Sequence, residues 1–454
     1  MVDATPFLPG LSPVRGKAVV ARFDGGRLSS EGGLLVLREI ERRLGLADRL
    51  AACLKDPRAP EKVVHRLAQI IRFRIMMIAA GYEDGNDADT LRRDPMFKLA
   101  LDRLPSDEEL CSQSTISRLE NLPDVRALLR LGRALIEQYC ASFRRVPKRI
   151  VLDIDDTPAF ARAGSSTGCH GGQQLRLFNA FHNDYGFQPI VVFDGEGRFV
   201  TALLRPGKRP GGHEIRAFLR RLVGAIRGHW PKVEILLRAD SHYACPEVFD
   251  WCRENRVDWV LGLAPNVALR RHVEALEKAT AERFKAVPDR GKLRRFTQFY
   301  DAAQSWRRVE RIIARVEVGP QGSDTRFIVT NLEGGRAKHL YERLYCARGQ
   351  AENHIKAWKN HLAADRTSCH EAEANQFRLF LHAGAYWLLW SMRRVMPKGS
   401  AWRVMQFDTL RLRLVKLAAR VVELKTQIKI HLPSSAPEQA IFGVLLDRLP
   451  RLVT

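Results

Sequence analysis

The stretch "RIVLDID", residues 149–155, is where the hydrophobic pattern of the chain changes from a helical period to a strand period. Four more short runs rich in β-branched and aromatic residues follow it, at residues 188–194, 198–204, 233–239 and 257–263. Helix-like segments at 213–227 and 245–254 separate the later runs. Two hairpin-like strands followed by alternating strand and helix predict a mixed α/β sheet.

The residues before this stretch are predicted to be mostly helical. Residues 29–54 and 62–82 both carry apolar side chains at helical spacing. Residues 112–122 resemble a short turn followed by a recognition helix, with Ser114, Thr115, Ser117 and Arg118 exposed to phosphates or base edges. The alternative is a capped surface helix. From the helical spacing and the turn–helix pattern together, we predict that residues 1–146 form a helical DNA-binding region.

The residues after the strand-rich part divide into three regions. Residues 270–335 show an Arg-rich strand–turn–strand pattern, which predicts an antiparallel β insertion, and residues 336–395 are predicted to return to the α/β fold begun at 147–269. Residues 396–454 are predicted to be basic and helical. From residue 392 to residue 430 there are ten Lys or Arg and two Asp or Glu, a net charge of 10 − 2 = +8.

The composition favours a polyanionic partner. Among 454 residues there are 74 Lys plus Arg and 51 Asp plus Glu, a formal charge of +23, which favours salt-dependent binding to nucleic acid over a merely soluble basic protein. The eight cysteines are dispersed without a CxxC pair, so we expect reduced thiols in a cytoplasmic protein and no zinc. No signal peptide is evident, and the longest apolar run, residues 380–392, is too short to span a bilayer.

Three carboxylates stand where functional groups are expected. Asp155 lies in "LDIDDT" at the end of the first strand, Asp240 follows the run 233–239, and Glu352 lies further on. Open α/β sheets place ligands at the carboxyl ends of their strands, and three carboxylates can hold two Mg²⁺ or Mn²⁺ ions that act on a phosphodiester. Alternation puts Asp153 on the same face as Asp155, and Asp156 on the other. For any single aspartate at a strand end, the alternative is a structural role as a helix cap or turn residue.

The segment "YCARGQAENHIKAWK", residues 345–359, is predicted to form one helix. At about 100° per residue, Tyr345, Arg348, Glu352 and Lys359 fall within a stripe of about 60°. Arg348 could grip a phosphate bidentately, Lys359 could neutralise another, and Tyr345 could donate to a phosphate oxygen or stack. The alternative is an i, i+4 pair of Arg348 with Glu352 on a solvated helix face.

These residues resemble a known family. The spacing Tyr345-x2-Arg348-x3-Glu352-x6-Lys359 is similar to the Y-R-E-K signature of DDE transposases of bacterial insertion sequences. "LDIDDT" and "LLRADSHY" resemble that family's first and second aspartate strands, and "GYEDGNDADTLRRDP" and "KIHLPSSAP" are similar to segments of one of its branches. The resemblance therefore covers almost the whole chain.

The resemblance implies a fold and a site. It implies an RNase H-like core interrupted by a β insertion, with Asp155, Asp240 and Glu352 as the catalytic, metal-binding triad, although Asp153 and Asp156 flank the first position. Tyr345, Arg348 and Lys359 would contact the backbone of the transposon end. In some relatives an aromatic residue of the insertion stacks on a flipped base, and Trp306 is the candidate here; packing of the insertion is its alternative.

The predicted function is cut-and-paste DNA transposition by a cytoplasmic, nucleoid-associated bacterial enzyme. A homodimer would synapse two double-stranded transposon ends and join them to target DNA in a reaction that depends on Mg²⁺ or Mn²⁺. The N-terminal helices would recognise terminal inverted repeats, and the C-terminal region would support dimerisation or bind DNA. The alternatives are an RNase H-like nuclease without strand transfer and a DNA-binding protein whose catalytic site no longer works.

Overall fold

The computed structural model describes residue 8 and residues 10–160, 170–286 and 291–452. The chain folds as two compact units: the described residues up to Leu119 together with Leu388–Leu452 form the first, and Glu120–Trp387 form the second. Among the described residues, no helix is both long and apolar enough to cross a lipid bilayer.

The second unit is built on a mixed sheet of eight strands. In chain order they are β1 (Arg149–Asp156), β2 (Ile190–Asp194), β3 (Phe199–Leu203), β4 (Glu234–Ala239), β5 (Val257–Leu263), β6 (Leu293–Asp301), β7 (Glu310–Gly319) and β8 (Gly322–Thr330). Their spatial order is β6-β7-β8-β5-β4-β1-β2-β3. β1 pairs antiparallel with β2 and parallel with β4, and β4 pairs parallel with β5. The predicted mixed α/β sheet is confirmed.

The five predicted core strands correspond to β1–β5, and the predicted helices correspond to Gly212–His229 and Pro246–Glu254. β2 and the apolar residues of β4 are buried, as expected for strands covered on both faces. The other helices described wholly within this unit are Val125–Ala141, the short 3₁₀ helix Ser241–Tyr243, Val267–Lys285 and those of residues 337–361. A longer one, Ala372–Val395, carries the buried apolar run 380–392.

The region 270–335 contains the expected antiparallel strands β6, β7 and β8. They are not a separate sheet, because β8 pairs with β5 and extends the main sheet. A helix that the sequence reading missed, Val267–Lys285, precedes them. Its buried side chains, Leu269, Val273 and Thr280, recur at helical spacing within a highly charged segment, which hid the pattern.

A small second sheet continues from the end of β1. After Thr157 and Pro158 come the strand Ala159–Phe160 and then a hairpin of Leu177–Asn179 and Asp184–Phe187, which pairs with it. Residues 161–169 lie outside the described residues.

Residues 337–361 are helical throughout but change their winding. Short α-helical Ala337–His339 leads into π-helical Leu340–Tyr345, 3₁₀ Cys346–Arg348, α-helical Gly349–Lys356 and π-helical Ala357–His361. The predicted single regular helix is therefore wrong, and the stripe calculated at about 100° per residue does not describe it. A physical reason is that the Leu344 carbonyl accepts a hydrogen bond from Arg238 of the sheet, which competes with the regular helical ladder.

The first unit is mostly helical before residue 120, as predicted. Its helices are Leu34–Leu44, Leu46–Ala51, Leu67–Ala80, Ala88–Leu91, Pro95–Ala100 and, at the unit boundary, Gln113–Glu120. In the last of these, Ser114 and Arg118 are exposed as predicted, whereas Thr115 and Ser117 are half-buried.

The prediction that residues 396–454 are helical is wrong in part. Helices form at Phe407–Leu410 and Gln439–Arg448, but Ala419–Glu423 and Ile428–His431 are strands of a small sheet with Leu28–Ser29. The β-branched run at Val421 and Val422 favours a strand, with Val421 buried in this sheet, so basic composition alone was a poor guide.

Candidate active site

Two of the three predicted carboxylates converge at the carboxyl edge of the sheet. The parallel register pairs Asp153 of β1 with Arg238 of β4, so Asp155 and Asp240, two residues further along each strand, emerge side by side. The guanidinium of Arg348 joins them: Nη1 donates to Asp155 Oδ2 at 2.9 Å, and Nη2 donates to Asp240 Oδ1. Their side chains are 14% and 41% exposed, and Arg348 is 11% exposed.

The electrostatics of this group favour an additional cation. Burial, and then the nearby Asp240 carboxylate, raise the pKa of Asp155 to about 7 even though Arg348 opposes the shift. Burial acts to lower the pKa of Arg348, but Asp240 and Asp155 outweigh it and hold that pKa above its ordinary value. Buried carboxylate oxygens that need positive charge fit the ligand preference of Mg²⁺ or Mn²⁺.

Glu352 is not brought to the two aspartates. It is exposed in the helix Gly349–Lys356, one turn beyond Arg348, a spacing that separates Cβ atoms by about 5–6 Å. Among the described residues no three Asp, Glu, His or Cys side chains are grouped as metal ligands. The metal-binding role of Glu352 thus stays a prediction, while the alternative pairing of Arg348 with Glu352 is replaced by the pairing of Arg348 with aspartates.

Asp153 is engaged elsewhere. Its two carboxylate oxygens accept hydrogen bonds of 2.7 Å from Nε and Nη2 of Arg238, and the two side chains are 2% and 4% exposed. The third nitrogen, Nη1, donates to the Leu344 carbonyl at 2.7 Å. Burial raises the pKa of Asp153, and Arg238 opposes that shift. Asp153 therefore ties β1 to β4 and, through Arg238, to the helical segment.

Asp156 is also engaged, on the other face of β1 as alternation predicts. His242 Nε2 lies 2.6 Å from Oδ1, and Gln188 Nε2 donates to Oδ2. Burial acts to raise the pKa of Asp156, but His242 and Gln188 outweigh it, and the pKa lies below its ordinary value. Because His242 belongs to the turn directly after Asp240, this contact joins the ends of β1 and β4.

Tyr345 and Lys359 also reach this edge of the sheet. The Tyr345 hydroxyl lies against Gly262 of β5, where an added Cβ would come within 2.7 Å of it, and burial raises the Tyr345 pKa. Lys359 Nζ donates to the carbonyl of Pro158, two residues after Asp156. A groove of about 600 Å³ opens beside Asp240 and Tyr345, and it is also lined by Arg270, Arg315 and Arg326.

Comparisons with known proteins identify the family. The family described as transposase DDE domain group 1 matches residues 11–454. The chain belongs to this DDE transposase family. No curated protein matches the chain significantly. A solved piggyBac transposase synaptic complex with hairpin DNA matches with 11% identity and a TM-score of 0.38 over 90% of this chain and 88% of that chain.

The transposase holds Trp306 away from the two aspartates. Trp306 lies in the loop between β6 and β7, and its ring meets Phe249 edge-on at 5.1 Å. The pairing of β7 with β8 and of β8 with β5 directs this loop toward the amino ends of the parallel strands. This contact matches the packing alternative, and base stacking by Trp306 stays a prediction.

Sequence reasoning missed three residues that position the transposase site: Arg238, His242 and Gly262. A signal existed for Arg238, because it precedes Asp240 by the same two residues that separate Asp153 from Asp155. Side chains two apart in neighbouring parallel strands share a face, so a buried pair beneath the two aspartates was predictable. His242 and Gly262 carried no comparable signal, since their partners come from distant segments.

Proposed function

We propose that this DDE transposase performs cut-and-paste transposition: it binds the terminal inverted repeats of a bacterial insertion sequence, cleaves the DNA and joins the ends to a target. The observation that carries the proposal is the convergence of Asp155 and Asp240 on the Arg348 guanidinium at one edge of the sheet. Strands β1–β5 would be the RNase H-like core, with three antiparallel strands leading into two parallel ones.

Asp155, Asp240 and Glu352 would hold two Mg²⁺ or Mn²⁺ ions. Bound there, the ions supply activation of a water or a 3′-hydroxyl and stabilisation of the leaving oxygen. Glu352 is exposed one helical turn from Arg348, whose guanidinium contacts both aspartates, and this placement supports its inclusion. Asp153 and Asp156 act through Arg238 and His242, which keep the ends of β1 and β4 together.

The basic side chains of the same edge would bind the DNA backbone. Arg348 has the planar donor geometry that suits a phosphate, so it exchanges its aspartate partners for the scissile strand. Lys359, now on the Pro158 carbonyl, neutralises a second phosphate, and Tyr345 donates its hydroxyl from beside Gly262. The helices of residues 1–146 and the basic segment 396–454 would bind the inverted repeats and support a homodimer.

Cleavage of labelled DNA that carries the inverted repeats tests this proposal. With Mg²⁺, the wild-type chain should nick and join the ends, whereas Glu352→Gln should abolish both steps and retain binding in a gel-shift assay. Glu254→Gln is the matched control, because Glu254 is an exposed helical glutamate outside the site. Retained cleavage by Glu352→Gln would contradict its role. Cleavage by the wild type without joining would favour the nuclease alternative.

A further inference from the structure

An aromatic hairpin stands exposed next to the candidate active site. We use this name for residues 175–187, which contain the strands Leu177–Asn179 and Asp184–Phe187. Phe181 at its tip is 91% exposed, and four more large apolar side chains are 40–48% exposed: Leu175, Leu177, Phe178 and Tyr185. Exposed apolar side chains gathered on one short hairpin are a candidate interaction surface.

Two rings of the aromatic hairpin pack against each other at an interplanar angle of 58°. Phe178 and Tyr185 are direct cross-strand partners, and their ring centroids lie 5.1 Å apart. The guanidinium of Arg176 lies 4.6 Å from the Tyr185 ring centroid. Two half-exposed aromatic rings and a planar cation therefore lie together on the aromatic hairpin.

The aromatic hairpin is fastened to the edge that carries Asp155. Only Thr157 and Pro158 separate β1 from the strand Ala159–Phe160, with which the hairpin pairs. At its other end, Phe187 is followed by Gln188, whose amide donates to Asp156. A strand of DNA held at Asp155 and Asp240 would therefore pass close to the hairpin.

Positive charge flanks the rings. The Asn179 amide donates to the Gly207 carbonyl at 2.8 Å, and a Cβ on Gly207 would lie 2.5 Å from the Gly186 carbonyl oxygen. This close approach holds the exposed Lys208 and Arg209 beside the hairpin. The one acidic residue of the aromatic hairpin, Asp184, accepts a hydrogen bond from the Tyr185 amide.

We propose that the aromatic hairpin binds an unpaired DNA strand next to the cleavage site, an inference that rests on the proposed function. Phe178 and Tyr185 stack on nucleobases, and Phe181 at the tip of the hairpin contacts the next base along the strand. The phosphates are contacted by Arg176, Lys208 and Arg209. Aromatic side chains between cations are the arrangement that binds single strands without sequence preference. Each stacked base is expected to change affinity by about 5- to 160-fold, which follows from about 1–3 kcal/mol per base.

The test compares the affinities of the full chain for two fluorescent DNA probes, measured in a buffer that contains Ca²⁺. One is a blunt duplex of about 20 base pairs, and the other is the same duplex with a single-stranded extension of about four thymidines. In anisotropy titrations the wild type should prefer the extended probe at least about tenfold. Phe178→Ala combined with Tyr185→Ala should abolish that preference and leave binding of the blunt duplex unchanged.

Two controls make the result specific. Phe178→Tyr combined with Tyr185→Phe keeps both rings and should keep the preference. Tyr300→Ala removes an aromatic side chain that is 62% exposed on β6, and it should have no effect.

Three outcomes would overturn the proposal. The stacking role is refuted if the wild type does not prefer the extended probe, or if the double alanine variant keeps that preference. In either case the proposed function stands if the wild type still cleaves DNA. An alanine variant that sediments as a smaller species while keeping the preference would assign the aromatic hairpin to contact between two copies of the chain. Failure of the wild type to bind either probe would overturn the stacking proposal, and cleavage of DNA that carries the inverted repeats would then decide the proposed function by itself.

Discussion

Replacing Asp153 by asparagine is expected to destabilise the unit Glu120–Trp387 strongly. Asp153 and Arg238 are 2% and 4% exposed and share two hydrogen bonds of 2.7 Å. Removing one partner of such a pair leaves an uncompensated buried charge and costs about 3–5 kcal/mol. Asparagine keeps one acceptor oxygen, so we expect about 3 kcal/mol, which lowers the melting temperature by about 6–12 °C at about 2–4 °C per kcal/mol.

Heat unfolding of the full chain, followed by circular dichroism, measures this loss. Asp258→Asn is the matched control, because Asp258 is a 38% exposed partner of Arg149 and should cost less than about 1 kcal/mol. Asp155→Asn should not destabilise the metal-free protein, because burial and, unlike at Asp153, a neighbouring carboxylate, that of Asp240, both oppose the Asp155 charge and raise its pKa. If Asp153→Asn melts with the wild type and abolishes cleavage, Asp153 is a metal ligand and the structural assignment is refuted.

Further perturbations probe the same edge of the sheet. Arg348→Gln should raise the affinity for Mn²⁺ in the absence of DNA by about tenfold, because a charge-assisted hydrogen bond worth about 1.5–3 kcal/mol no longer competes with the metal for the aspartate oxygens. An unchanged Mn²⁺ affinity in calorimetry would contradict that competition. Gly262→Ala should destabilise the protein by about 1–3 kcal/mol in urea unfolding, because the added Cβ would lie 2.7 Å from the Tyr345 hydroxyl and 3.0 Å from the Ser241 amide nitrogen. Gly224→Ala, at a helical position with open space around it, is the control. A Gly262→Ala variant as stable as the wild type would show that the Tyr345 side chain moves aside. The pKa of Asp155 in the folded protein, about 7, exceeds its ordinary value of 3.8, so the metal-free protein loses stability as pH rises through this interval. The rise in melting temperature on adding Mg²⁺ should therefore be larger at pH 8 than at pH 6, and the same rise at both pH values would contradict the assignment.

The core of the fold was predictable because its signals are local. Strands β1–β5 are short apolar runs with β-branched residues, and the helices between them carry periodic apolar side chains. The convergence of Asp155 and Asp240 followed from the rule that parallel strands end at one edge of a sheet. Neither the core elements nor the convergence of the two aspartates required knowledge of a long-range side-chain contact.

What the sequence could not predict depends on long-range contacts. Arg348 reaches Asp155 across 193 residues and Asp240 across 108, so its role as their bridge has no local signal. The irregular winding of residues 340–348 involves the Leu344 carbonyl, which is engaged by a side chain 106 residues away. The position of Trp306 followed from strand register, which aromatic content alone does not determine.

The measurement that tests the central claim most directly is the number of Mn²⁺ ions bound by the full chain with a DNA end, counted by electron paramagnetic resonance. The wild type should hold two tightly bound ions per chain, and Asp155→Asn and Asp240→Asn should each lose tight binding. Two ions held at wild-type affinity by both variants would contradict that claim.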